Sequence, residues 1–262
     1  MRNFDFDART RDHSRKNAYW LGRASKIAYD SSDDKARDEL KAWGLTTCEF
    51  FNNRETQAFL AGNNDLLILA FRGTEGNIRD WMTDLDIEFV GGPGGRVHEG
   101  FLTAISYVWR DIWTFISGQR KSRALWVTGH SLGASLATLA VAKLRLEKDE
   151  PVNGLYTFGQ PRTGDREFAK NFDADFEKQT FRYVNNNDIV TRVPFRAMNY
   201  SHVGLFRYFD ADGNQRDDIS WWDKVVDRLE GRIEDLLKPG TDGLKDHFMA
   251  RYVACLEKAV DV

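Results

Sequence analysis

Residues Gly129-His130-Ser131-Leu132-Gly133 form a Gly-x-Ser-x-Gly pentapeptide. Small residues on either side of a serine let a strand reverse sharply into a helix and hold the hydroxyl out on a strained turn. Both elements are written into the flanks: Leu125 to Thr128 reads as a strand, and Ala134 to Ala142 as a helix. Ser131 is therefore expected to be a nucleophile for acyl transfer. A serine hydroxyl is weak at neutral pH, so it needs an imidazole to take its proton and an acid to orient that imidazole. On a strand-turn-helix scaffold of this kind, the partners follow in the order serine, acid, histidine.

The acid is sought after Ser131. Thr180 to Val184 reads as a strand and runs into the polar turn Asn185-Asn-Asn-Asp188, at the carboxyl end of a strand, where open α/β sheets gather functional side chains. Asp188 is the expected acid. Asp165 is the weaker competitor because its context is that of a helix N-cap. Two histidines follow Asp188, and position alone does not choose between them. His202 opens the strand Val203 to Phe209, whereas His247 lies in a polar loop that Phe248, Tyr252, Val253, Leu256 and Val260 of the last amphipathic helix anchor to the core. His247 is the expected base, and His202 is read as a structural hydrogen-bonding residue. The developing oxyanion needs two preorganised donors. One is the N–H of Leu132, and the second is expected from Thr74, which follows the apolar strand Leu66 to Phe71 through Arg72-Gly73.

These side chains must be held by elements that the hydrophobic pattern outlines. Helical spacing marks Asn17 to Tyr29, a segment capped by Ser32 and stopped at Gly44, and a long helix from Phe101 that ends at Gly118. A hairpin over Thr46 to Phe51 and Thr56 to Ala61 feeds Leu66 to Phe71, and strands and helices then alternate. This is the pattern of a mostly parallel sheet with helices on both faces. No repeat or linker divides the chain, so residues 1–262 are expected to form one domain. Gly91-Gly-Pro-Gly-Gly95 is read as a mobile loop or hinge. Ile78, Trp81, Met82 and Leu85 fall at i, i+3, i+4 and i+7 beside the oxyanion donor, so a short amphipathic lid is expected at about 75–90. A second amphipathic helix, Ile219 to Leu237, lies in a helical insertion at about 211–245. Packing is its default role, and Trp221-Trp222 leaves open a place near a lipid surface.

Six blocks then resemble, in order, those of the class 3 lipases, the fungal-lipase-like α/β-hydrolases. They are Phe71-Arg-Gly-Thr74, Asp80-Trp81 with Asp84, Val97-His-Glu-Gly-Phe101, Val127 to Gly133, Tyr156 to Arg162, and Tyr183-Val-Asn185 with Asp188 to Pro194. The resemblance runs from about Leu66 to Pro194. It implies an α/β-hydrolase fold, with Ser131, Asp188 and His247 as the triad, Thr74 and Leu132 as the oxyanion hole and Ile78 to Asp84 as the lid. The implied activity is hydrolysis of acylglycerol or related esters through an acyl-enzyme, with no cofactor. A phospholipase A1 or galactolipase shares these motifs, and a lipase-like binding protein would keep the fold without the chemistry. Secreted fungal members carry a signal sequence and several disulfides. This chain shows neither pattern, which suggests an intracellular or bacterial-type relative.

Composition excludes other classes. Lys plus Arg is 37 and Asp plus Glu 40, a net charge of −3, too balanced for electrostatic capture of nucleic acid. With 42% hydrophobic residues, including 18 Phe, 8 Trp and 8 Tyr, the chain has a core to bury and does not have the composition of disorder. Its longest apolar run, Leu66 to Phe71, falls far short of the roughly 20 residues that cross a bilayer, so contact with a lipid–water interface would be transient. The charged stretch Met1 to His13 does not read as a signal peptide, so the expected location is cytoplasmic, ahead of secretion without a recognisable signal. Cys48 and Cys255 are read as small buried hydrophobes, and no spacing of Cys and His suits a metal.

Overall fold

The structure is a computed structural model that describes residues 2–30, 32–73, 88–216 and 243–261. Its centre is an eight-stranded sheet. Strands β1 (Thr47–Asn53), β2 (Thr56–Gly62) and β3 (Leu66–Phe71) form an antiparallel meander. From β3 the sheet continues in parallel through β6 (Ala124–His130), β7 (Gly154–Phe158), β9 (Thr180–Asn185) and β11 (Leu205–Phe209). Strand β12 (Gln215–Arg216) closes the edge antiparallel to β11. A smaller sheet pairs β10 (Tyr200–Ser201), β8 (Gly164–Asp165), β5 (Gly95–His98) and β4 (Phe89–Gly92).

Period-2 alternation in the central strands splits the core into two layers. Leu67, Leu69 and Phe71 of β3 with Leu125 and Val127 of β6 face one way, against α3 (Glu99–Gln119), α4 (Leu132–Ala142) and α5 (Arg166–Phe176). Leu66, Ile68 and Ala70 with Ala124 and Trp126 face the other, against α1 (Arg15–Ile27), α2 (Asp33–Ala42) and the C-terminal α7 (Met249–Val260). A strand covered on both faces has no polar side, which is why β3 and β6 read as unbroken apolar runs. Burying each Leu- or Val-sized side chain there contributes about 1.5–3 kcal/mol.

Several boundaries depart from the sequence reading. Ser32 caps α2 as expected, its hydroxyl accepting from Lys35 N. Gly118, expected to stop α3, lies inside it. Gly91 to Gly95 is no hinge. Gly92 pairs with Gly95 in the β4–β5 ladder, leaving a two-residue turn, Pro93-Gly94, in which Gly94 has φ +81°; a Pro-Gly centre presets that tight turn. The expected insertion at about 211–245 begins as the β11–β12 hairpin and ends with the short helix α6 (Gly243–Asp246). Thr74, the lid residues Ile78, Trp81, Met82 and Leu85, and the helix Ile219 to Leu237 all lie outside the described residues. No helix among the described residues is long and apolar enough to cross a membrane. Cys48 and Cys255 are half-buried free thiols, and burial pushes each up to about 11.

Candidate active site

Ser131 stands between the last residue of β6 and the first of α4, with φ 57° and ψ −131°. Non-glycine residues rarely occupy this region, and the strain is held by packing of backbone on backbone. A Cβ on Gly129 would strike the carbonyl of Gly133, and one on Gly133 would strike the Phe71 carbonyl at the end of β3. The two flanking glycines are thus required by close approach of three chain segments. The Ser131 N–H donates to Phe158 O at 3.0 Å, tying the turn to β7 as well. Leu132 opens α4, so its N–H lacks an intrahelical acceptor and lies at the positive end of the helix dipole.

Asp188 sits in the turn after β9, 1% exposed. Its carboxylate is held by three donors. His247 Nδ1–H lies 3.0 Å from Oδ1 and 2.9 Å from Oδ2. The Tyr252 hydroxyl donates to Oδ2 at 2.6 Å, and the Val190 N–H donates to Oδ1 at 3.0 Å. Burial, and the Asp188 charge after it, push the Tyr252 hydroxyl well above its ordinary range, so it stays a donor. A carboxylate acceptor on Nδ1 fixes the His247 tautomer and leaves Nε2 as a base lone pair. Nε2 is buried and has no hydrogen-bond partner among the described residues.

The loop that carries His247 is tied to the acid turn. Asn185 Nδ2 donates to Asp246 O at 2.9 Å, Asn186 Nδ2 to Asp246 Oδ2 at 2.9 Å, and Asn187 N to the same oxygen at 3.3 Å. Beneath both lies Gly159, with φ +58°, where a Cβ would come within 2.8 Å of Asp188 Oδ2 and His247 Nδ1. The sequence reading missed Gly159, Asp246 and Tyr252. The run of three asparagines at a strand end was the one legible sign of a built polar turn.

The competitors are engaged elsewhere. Asp165 caps α5, accepting from Phe168 N at 2.8 Å, and pairs with Arg96 at 3.1 Å. His202 donates from Nε2 to Thr191 O at 2.8 Å, the structural role expected of it. The structure therefore brings His247 and Asp188 together and gives the side chains of Asp165 and His202 other partners. Among the described residues no group of three or more His, Cys, Asp or Glu side chains is arranged to hold a metal ion.

The model of the class 3 lipases matches residues 68–198. The chain is 27% identical to triacylglycerol lipase OBL1 of Arabidopsis thaliana over 89% of this chain and 54% of that protein. It is 34% identical to secreted mono- and diacylglycerol lipase A of Penicillium cyclopium over 67% of this chain and 60% of that protein. The chain thus spans between half and about three fifths of the length of these curated relatives. A crystal structure of a mutant form of MDLA from Penicillium cyclopium superimposes with a TM-score of 0.67 at 26% identity, covering 91% of this chain and 96% of that chain. The fold is the α/β-hydrolase fold that the alternation of strands and helices anticipated. From the match over residues 68–198, which takes in the Ser131 turn and the Asp188 turn on one parallel sheet, the chain belongs to the class 3 lipase family.

Proposed function

We propose that the protein hydrolyses carboxylic esters of lipids, neutral acylglycerols in the first place, through an acyl-enzyme on Ser131. The observation that carries this reading is the buried Asp188–His247 pair, whose second imidazole nitrogen has no hydrogen-bond partner among the described residues; the strained Ser131 at the α4 N-terminus supports it as the nucleophile. In the acylation half, His247 Nε2 takes the Ser131 proton as Oγ attacks the ester carbonyl. The tetrahedral intermediate then collapses as the same proton passes to the departing alcohol. In the second half, water gives its proton to Nε2, attacks the acyl carbonyl and releases the carboxylic acid, and Ser131 recovers its proton. The Leu132 N–H, with Thr74 as the second donor, receives the charge on the carbonyl oxygen. Asp188 holds the imidazole in its productive tautomer and stabilises the imidazolium.

Acylglycerol substrates are supported by the relatives, whose names describe triacylglycerol and mono- and diacylglycerol lipases. Phe248, next to His247 and 56% exposed, supports contact between the rim of the site and an apolar substrate at a lipid–water interface. The test is hydrolysis of p-nitrophenyl esters from acetate to palmitate. Ser131→Ala is expected to lower kcat by at least about 10³-fold at unchanged folding. Activity retained by the folded variant overturns the acyl-enzyme.

A further inference from the structure

His130 precedes Ser131 in the chain, yet its side chain reaches away from the serine toward the loop of the base. Its Nε2 lies 2.6 Å from the main-chain carbonyl oxygen of His247, and its Nδ1 lies 2.8 Å from the Tyr29 hydroxyl. A carbonyl oxygen only accepts, so Nε2 carries the hydrogen. Burial, and next to it the neighbouring His247 imidazole, hold His130 well below the usual imidazole range, so the ring is neutral and its Nδ1 lone pair accepts from Tyr29. Every proton in this chain of two hydrogen bonds is thus assigned by chemistry. The Tyr29 hydroxyl is itself wedged in place, since a Cβ on Gly73 would collide with it. The His130 ring also packs on the His247 ring at 4.6 Å between centroids and on Tyr252 at 5.9 Å.

The consequence is a short mechanical path. His247 and Phe248 are the two residues between α6 and α7; there the Phe248 N–H donates to Lys245 O at 3.2 Å and the Phe248 carbonyl accepts from the Arg251 N–H at 2.8 Å, while the His247 carbonyl accepts from His130. The nucleophile is covalently bonded to His130, and the base is hydrogen-bonded to it through its own carbonyl. We propose that His130 is a positioning residue whose Nε2–H clamps the His247 main chain and thereby sets the distance between His247 and Ser131, with Tyr29 locking the tautomer that makes the clamp. This inference rests on the acyl-transfer reading for its kinetic consequence and on the hydrogen-bond geometry for the clamp itself. A misplacement of about 1 Å between reacting groups costs up to about 10²-fold in rate.

The experiment compares His130→Phe, His130→Gln and Tyr29→Phe with the wild type on one soluble ester, with thermal unfolding as the folding control. His130→Phe keeps a ring and removes the donor. Its kcat is expected to fall by about 10–100-fold, with KM within about twofold. His130→Gln, whose amide N–H reaches about as far as Nε2, is expected to recover most of that loss. Tyr29→Phe frees the tautomer and is expected to lower kcat by about 3–10-fold. Wild-type kcat in folded His130→Phe, a loss confined to KM, or no recovery in His130→Gln overturns the proposal. Should His130→Phe fail to fold, unchanged kcat in Tyr29→Phe overturns it instead. Nitrogen-15 NMR of the resting wild-type protein reads the clamp without turnover. At neutral pH the His130 ring is expected to be neutral with its proton on Nε2, and a ring that carries its proton on Nδ1 overturns the clamp. An ester-inactive wild type with this NMR signature would overturn the hydrolase reading and leave the clamp standing.

Discussion

At the scale of single residues, the site is a problem of placing one negative charge where water does not reach. Asp188 is 1% exposed, and an unpaired carboxylate at that depth would be very costly. Three donors, from His247, Tyr252 and Val190, offset that cost, and two of them come from side chains 59 and 64 residues away in the chain. Tyr252 has two duties, since its oxygen also accepts from the Asn185 N–H at 3.0 Å. Tyr252→Phe leaves the carboxylate with one donor fewer and a buried N–H with none. The variant is expected to lose about 1–3 kcal/mol of stability and to lower kcat several-fold, because the acid that orients His247 is less firmly held. Urea unfolding and steady-state kinetics on the same preparation check both. The turns that carry Ser131 and Asp188 were legible from sequence because short-range context marks them, small residues in one and a strand end in the other. Tyr252 was legible only as a core residue of an amphipathic helix, since nothing local tells where its hydroxyl points.

At the scale of elements, Ser131 and Asp188 stand where strands end, whereas His247 comes from the junction of α6 and α7. Ser131 follows β6, Asp188 follows β9, and Gly159 follows β7, which lies between those two strands in the sheet. The β7 turn is the floor of the site. Gly159 needs its glycine twice over, for φ +58° and for the 2.8 Å that would separate an added Cβ from the acid and the base. Gly159→Ala is expected to abolish measurable esterase activity and to lower the melting temperature, by pushing apart a pair that works only in contact. Wild-type turnover in the alanine variant would show that the pair has slack. The hairpin β4–β5 teaches the opposite lesson about glycines. Gly91, Gly92, Gly94 and Gly95 suggested a hinge because composition alone reports conformational freedom. In the fold, Gly95 is a place where a Cβ would meet the Phe168 backbone, and Pro93-Gly94 is an ordinary tight turn.

At the scale of the whole molecule, the sheet separates two hydrophobic layers, and polar ties cross the packing. Asp173 of α5 accepts from the Gly204 N–H at 2.8 Å, just before β11. Burial pushes this carboxyl up to about 6 from an ordinary 3.8, against the opposing effect of the Gly204 hydrogen bond. Between those two values the folded protein retains a proton that the unfolded chain has released, so this group's contribution to stability is present on the acid side and lost as pH rises through about 6. Asp173→Asn keeps an acceptor for Gly204 and has no charge to bury. It is expected to raise the melting temperature by about 2–4 °C at about pH 8, the shift that ~1 kcal/mol produces in a chain near this size, and to gain less at about pH 4.5. A gain independent of pH, or a loss at pH 8, would contradict this account.

The architecture followed from pattern, because a strand buried on both faces must be apolar throughout and a helix packed on one face must repeat every three to four residues. The sharp turn at Ser131 followed from its small neighbours, and the order serine, acid, histidine is the expectation that such a turn carries. What the chain order left open was the choice between His202 and His247, and it gave no sign of the Tyr29–His130 link or of the asparagine ties to Asp246. These are contacts between residues 59 to 117 positions apart. Their geometry depends on how α1, α6 and α7 come to rest against the carboxyl ends of β6 and β9. That docking is decided by packing of whole elements, and no local stretch of sequence encodes it.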